Sequence, residues 1–188
     1  MDVMNIVAIA VAIVVALLVA WTFNALIAKR QMTNNGWADI DVQLKRRADL
    51  IPQLVTTVQA YAAHERQLFE DIAEKRSRAL AAGDDPAERG VAEADLARPV
   101  GRMMALAEGY PDLKASGNFL ELQKELSDTE DKIEMARRFY NGAVRDLNTL
   151  VETFPANIVA GLFGVAKRAY FEIGNNAERA VPRVKTSN

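Results

Sequence analysis

The sequence predicts an all-α protein in which an N-terminal transmembrane helix precedes an antiparallel bundle of three to four long helices. Two observations lead to this prediction. An uncharged aliphatic stretch lies near the amino terminus, and two later segments repeat apolar residues at alternating spacings of three and four. That spacing gives a helix one apolar stripe, here called a seam, which packs against partner helices.

Residues 6–27 predict the membrane anchor, which we assign to residues 1–28. The stretch carries no charge, and about 20 apolar residues are enough to cross a hydrocarbon core of about 30 Å. A cleaved signal peptide is the alternative interpretation. The start MDVMN contains Asp2 but no basic residue, and no small-x-small site directly precedes Lys29. An uncleaved anchor is therefore favoured.

The anchor also carries alanines at every fourth position: Ala8, Ala12, Ala16 and Ala20. A stripe of small residues lets membrane helices approach closely, so it predicts a transmembrane packing surface. The other interpretation is an alanine-rich anchor in which the stripe arises by chance. Basic residues follow the anchor and are lacking before it, so the positive-inside rule predicts a cytoplasmic domain and a short amino terminus outside.

A polar joint at 29–36 is followed by a predicted bundle domain at 37–173. The joint either bends the chain or continues the helix. A first long helix is predicted at 37–82, with a kink at Pro52. Its seam consists of Trp37, Ile40, Leu44, Ile51, Leu54, Val58, Tyr61, Leu68 and Ile72. Arg47 and Glu65 interrupt this seam, and they either fix register and partner choice or extend to solvent.

Two more helices complete the predicted bundle. The first spans about 91–108, and the second follows Asn118, which pairs with Glu121 as a predicted N-terminal cap. The last helix has the most regular seam, formed by Phe119, Leu122, Leu126, Thr129, Ile133, Ala136, Tyr140, Ala143, Leu147, Leu150 and Phe154. Residues 174–188 are polar and are predicted to form a flexible tail.

The uncharged segment 156–166 has two interpretations. It is either a fourth helix that packs on the bundle or an oligomer or membrane contact through Ile158, Leu162 and Phe163. It is too short to cross a bilayer.

Composition argues against several classes of function. The chain has no cysteine, one histidine and a formal net charge of -2, which disfavours thiolate metal sites, zinc chemistry and nucleic-acid binding. His64 and Glu65 begin a zinc-protease motif, but Leu68 stands where the second histidine is needed. We therefore predict no catalytic, cofactor or metal site. Lys45, Arg46, Arg47 and Glu65 are instead candidates for a polar docking surface.

Several blocks resemble the LemA family: IDVQLKRRADLIPQLVTTVQAYAAHE at 40–65, AEGYPDLKASGNFLELQKEL at 107–126, ARRFYNGAVRDLN at 136–148, and FPANIVAGLFG followed by YFE. This resemblance implies a single-pass protein of the bacterial inner membrane with a helical bundle domain. Some members are associated with forming or remodelling membranes and others with membrane-bound metalloproteases. The family supplies no catalytic residues to transfer.

Two hypotheses about function follow. The first is a non-enzymatic, membrane-anchored scaffold that associates with itself, with other membrane proteins and with lipid. The alternative is an adaptor or regulator of a membrane-bound protease or signalling enzyme.

Overall fold

The computed structural model describes residues 2–173, which form six helices and no strand. The helices are α1 (Val3–Gln59), α2 (Arg66–Ala81), α3 (Pro86–Ala107), α4 (Pro111–Lys114), α5 (Gly117–Glu152) and α6 (Ala156–Phe163). The all-α prediction, with a long apolar helix first, is confirmed. The tail predicted at 174–188 lies outside the described residues.

The described chain divides into two compact units. The anchor unit contains residues 2–41 and Met135–Tyr170, and the bundle unit contains Val42–Glu134 and residues 171–173. The long helices α1 and α5 contribute to both units. Each unit has its own buried apolar cluster.

The polar joint predicted at 29–36 is part of the uninterrupted helix α1. Within the anchor unit, Gly36 lies where α1 meets α5. A Cβ at this position would stand 3.0 Å from the Phe139 ring and 3.1 Å from the Tyr140 Cα. The glycine therefore permits close helix packing, and it does not bend the chain.

Helix α1 also continues through Pro52. Proline has no N–H to donate to the carbonyl four residues earlier, which is that of Ala48. The Arg76 Nε of α2 donates to this oxygen at 2.5 Å. A side chain of the neighbouring helix thus replaces the backbone donor that Pro52 lacks.

The predicted single helix at 37–82 is wrong, because α1 ends at Gln59 and α2 begins at Arg66. In the intervening turn, the backbone N–H groups of Tyr61 and Ala62 both donate to the Val58 carbonyl at 3.0 Å. The turn shifts the buried face, so that Ala62 and Phe69 are buried while Tyr61 is exposed. Burial of the apolar face of α2 against the bundle core outweighs the local preference for a continued helix.

In the bundle unit, α1 and α5 run antiparallel. The Asn118 amide donates to the Thr57 Oγ1 at 3.4 Å, and Arg47 contacts Glu130 further along α5. The predicted capping role of Asn118 is wrong, since α5 begins at Gly117 and Asn118 is itself helical.

In the anchor unit, α6 and the end of α5 pack against α1. The buried cluster here consists of Leu26, Leu147, Val159, Ala160 and Val165. Gly164 ends α6 in the left-handed region at φ 65°, a conformation that glycine adopts without strain. Phe154, predicted to belong to the α5 seam, lies beyond the end of α5 and is exposed.

Candidate functional site

The most concentrated group of buried charge lies in the bundle unit and is centred on Arg47 of α1. Its Nη1 donates to both carboxylate oxygens of Glu130 on α5, at 2.9 and 3.2 Å. Its Nη2 donates to Glu93 on α3. Glu93 also accepts from the Arg89 Nε at 3.1 Å, one helical turn away. These four side chains, here called the Arg47 cluster, join three helices.

Burial and charge act on Arg47 in opposite directions. Desolvation lowers the pKa of its guanidinium, while the Glu130 and Glu93 carboxylates raise it, and the net result is a raised pKa. Arg47 therefore stays charged, and its charge is neutralised within the chain. The cluster links α1, α3 and α5 through these contacts, an arrangement that in some helical proteins sets register.

The other candidate docking residues do not join this cluster. Lys45 and Arg46 lie on the exposed side of α1, and the Arg46 Nη2 stands 3.9 Å from a Glu125 carboxylate oxygen. Glu65 is half-buried just before α2, with its carboxylate 3.8 Å from the His64 ring. The structure thus separates Arg47, which is internal, from Lys45 and Arg46, which are accessible.

A groove of about 270 Å³ lies beside the Arg47 cluster and is lined mainly by apolar residues of α1, α3 and α5. The ligand pockets of proteins typically range from about 300 to 1,000 Å³ and carry polar groups available for a ligand. The polar groups at this groove are Arg47 and Glu130, which bind each other. The groove is an open, mainly apolar cleft beside an ion pair.

The apolar surfaces of the anchor unit are of a different kind. The alanine stripe at positions 8, 12, 16 and 20 is exposed along α1, as are the large apolar side chains around it. Helix α6 buries Val159 and Ala160 but exposes Ile158, Leu162 and Phe163. The candidate contact residues of both segments are thus open to partners.

Clusters of metal-ligating side chains are lacking in the described part of the chain. Between residues 2 and 173, no three His, Cys, Asp or Glu side chains come close enough together to hold a metal ion. Despite desolvation by burial, the pKa of Arg47 is raised by its carboxylate partners, and the pKa of Asp146 is lowered by a hydrogen bond from Lys29. Both shifts belong to ion pairs within the chain.

Sequence reasoning missed Arg89 and Glu93, although a signal for them existed. Leu96 and Val100 are apolar residues one turn apart in this helix. Glu93 lies three residues before Leu96, and Arg89 lies four residues before Glu93, so both occupy the same face of the helix. A buried acid and base one turn apart would then have pointed to a further partner such as Arg47.

Comparison with known proteins gives consistent matches. A model of the LemA family matches residues 36–185. Magnetosome protein MamQ 2 of Paramagnetospirillum magneticum is 24% identical over 175 residues, covering 80% of this chain and 64% of the relative. Protein LemA of Metamycoplasma hominis is 26% identical over 149 residues, covering 79% and 68%. The chain thus spans less than two thirds of the length of the magnetosome relative.

Proposed function

Because this protein belongs to the LemA family, we propose that it is a non-enzymatic, membrane-anchored helical scaffold that associates with copies of itself and helps to organise the membrane. It is a membrane-associated protein in which, among residues 2–173, one helix is long and apolar enough to cross a bilayer. We further propose that the protein associates with itself, that its bundle unit is cytoplasmic and that it is not catalytic. The exposed apolar side chains along α1 support a role at membranes.

The observation that carries this proposal is the contrast between charged and apolar groups. The buried charges of the Arg47 cluster are paired within the chain, whereas the large apolar side chains of α1 and α6 are exposed. Exposed apolar patches of this extent mark contacts with proteins or membranes. The described residues therefore offer a partner apolar contact surfaces, both within the membrane and next to it.

Self-association is tested by crosslinking the full chain in mild detergent. Leucines at Ala12 and Ala16 should reduce the crosslinked species, because larger side chains keep helices apart. The matched control places leucines at Ile13 and Val14, which are exposed on other faces of the same helix. Monomer alone in the unaltered protein, or equal loss in both variants, would contradict the proposal.

The adaptor hypothesis is kept as a second candidate, because Lys45 and Arg46 are accessible. Glutamates at both positions should abolish capture of a partner membrane protein without changing helicity. Glutamate at Lys124, an exposed lysine of α5, is the control. Arg47 is left unchanged in this test, because it is internal and its reversal would disturb the fold.

A further inference from the structure

Helix α6 packs onto the part of α1 that is expected to lie in the membrane. Val19 and Phe23 of α1 pack against the cluster that α6 and the end of α5 form with Leu26. The Phe23 and Phe163 rings lie 4.5 Å apart between centroids. All of these α1 positions fall within the uncharged stretch that separates Asp2 from Lys29.

The length of the uncharged stretch of α1 determines how deep α6 lies relative to the membrane. At 1.5 Å per residue, the helix from Val3 to Leu18 covers only about 24 Å, while a hydrocarbon core is about 30 Å thick. An α1 that crosses the core must therefore use residues beyond Leu18, where α6 is docked. Helix α6 consequently lies at the level where the hydrocarbon core ends.

The outward side of α6 is apolar at this level. Phe154, Ile158, Leu162 and Phe163 are between 54 and 76% exposed, and the chain carries no charge between Glu152 and Lys167. This surface continues the exposed apolar surface of α1. The most apolar stretch of α1 has no buried part. The two apolar surfaces thus meet at the Phe23–Phe163 contact.

Charged residues follow the apolar residues of both α1 and α6. Lys29 and Arg30 follow the apolar stretch of α1, and Lys167 and Arg168 follow α6. The Arg168 Nη2 donates to the Asn34 side chain at 3.1 Å, so this basic pair lies beside the polar part of α1. Lys29 is paired with Asp146 and Lys167 with Glu152, so this zone carries charges of both signs. An apolar zone next to a charged zone matches the boundary between acyl chains and headgroups.

We propose that α6 is an interfacial helix that binds lipid, with Phe154, Ile158, Leu162 and Phe163 inserted at the acyl boundary beside the anchor. The short helix lies next to α1 and does not cross the bilayer. This inference rests on the proposed membrane anchoring, and it adds a second lipid contact that would fix the depth and the tilt of the anchor unit.

The experiment uses the full chain in vesicles of phosphatidylethanolamine and phosphatidylglycerol. Because the protein has no cysteine, Leu162→Cys, Val14→Cys and Asp39→Cys each carry a single nitroxide label. Val14 tests the anchor, and Asp39 is an exposed position beyond it. Unchanged circular dichroism establishes that each labelled protein is folded.

We expect the label at 162 to collide more often with oxygen, which concentrates in lipid, than with a water-soluble nickel chelate, as at 14. The label at 39 should show the reverse. A label at 162 that prefers the chelate while 14 prefers oxygen would overturn the inference and leave the anchor in place. A label at 162 shielded from both reagents would overturn it in favour of a second copy or another protein. Preference for the chelate at 14 would overturn the anchoring itself.

Discussion

Replacing Arg47 with methionine should destabilise the bundle unit far more than altering its exposed partner. The Arg47 side chain is 4% exposed and that of Glu93 is 3%, so both charges are removed from water. Methionine fills much of the same space but removes the charge and the donors. Glu93 then keeps only its bond to Arg89, and Glu130 returns to solvent.

The structure sets the size of this effect. Removing one partner of a buried ion pair costs about 3–5 kcal/mol, because the other charge stays buried without compensation. Arg89 compensates Glu93 in part, so we expect the lower end, about 3 kcal/mol. In a chain of this size, each kcal/mol lowers Tm by about 2–4 °C, which predicts a loss of about 6–12 °C.

Glu130→Gln is the matched control, because it removes the other carboxylate that Arg47 contacts. The Glu130 side chain is 47% exposed, so water screens the pair and the expected cost is below about 1 kcal/mol. Thermal unfolding of the full chain in mild detergent, followed by far-ultraviolet circular dichroism, compares the two variants. Small and equal losses of Tm would refute the reasoning that Arg47 is the buried centre of the cluster.

Three further predictions concern other contacts. Arg76→Met should lower the free energy of unfolding by about 1.5–3 kcal/mol, the value of a hydrogen bond to a charged group. The loss should be much smaller when Pro52→Ala restores the missing backbone donor. Equal losses in both backgrounds would exclude that pairing. Asp146 has a lowered pKa in the folded state. Its contribution to the stability of the fold is therefore complete above the unfolded pKa of about 3.9 and is lost as the pH falls through the folded pKa. Asp146→Asn should therefore lower Tm at pH 7, and the difference should shrink as the pH falls through the folded pKa; a pH-independent difference would contradict this. Gly164→Ala should cost about 1–2 kcal/mol, because φ is 65° there, and an unchanged Tm would argue against the left-handed end of α6.

The helical seams were the most predictable feature of the fold. Of the positions predicted on α5, Phe119, Leu126, Ile133, Tyr140 and Leu147 are all buried. Thr129, the polar member of that seam, is buried as well, and its hydroxyl donates to the Glu125 carbonyl at 2.7 Å. Periodicity identifies the buried face because a helix has one stripe that can face a core.

Helix ends were less predictable, because they depend on packing between distant segments. The turn at 60–65 contains no proline or glycine, so no local signal ends α1 there. At Pro52 the sequence predicted a kinked helix that continues, and α1 does continue there, with a donor supplied by Arg76 of α2. The end of α1 at Gln59, by contrast, cannot be read from the residues near it.

The candidate site was predicted only in part for the same reason. Arg47 was identified as an anomaly on its seam, but its partners lie 46 and 83 residues away in sequence. Likewise, α6 was recognised as an apolar segment with two possible roles. Its position beside α1 is shown by the contact of its Phe163 with Phe23, which the sequence does not indicate.

The most direct test of the proposed scaffold is the particle mass of the full-length protein in mild detergent. Light scattering corrected for bound detergent gives this mass without any assumption about shape. The account predicts a discrete assembly whose protein mass is a multiple of the 20.7 kDa chain. A protein mass equal to one chain, at concentrations where the protein is folded, would contradict self-association and favour the adaptor.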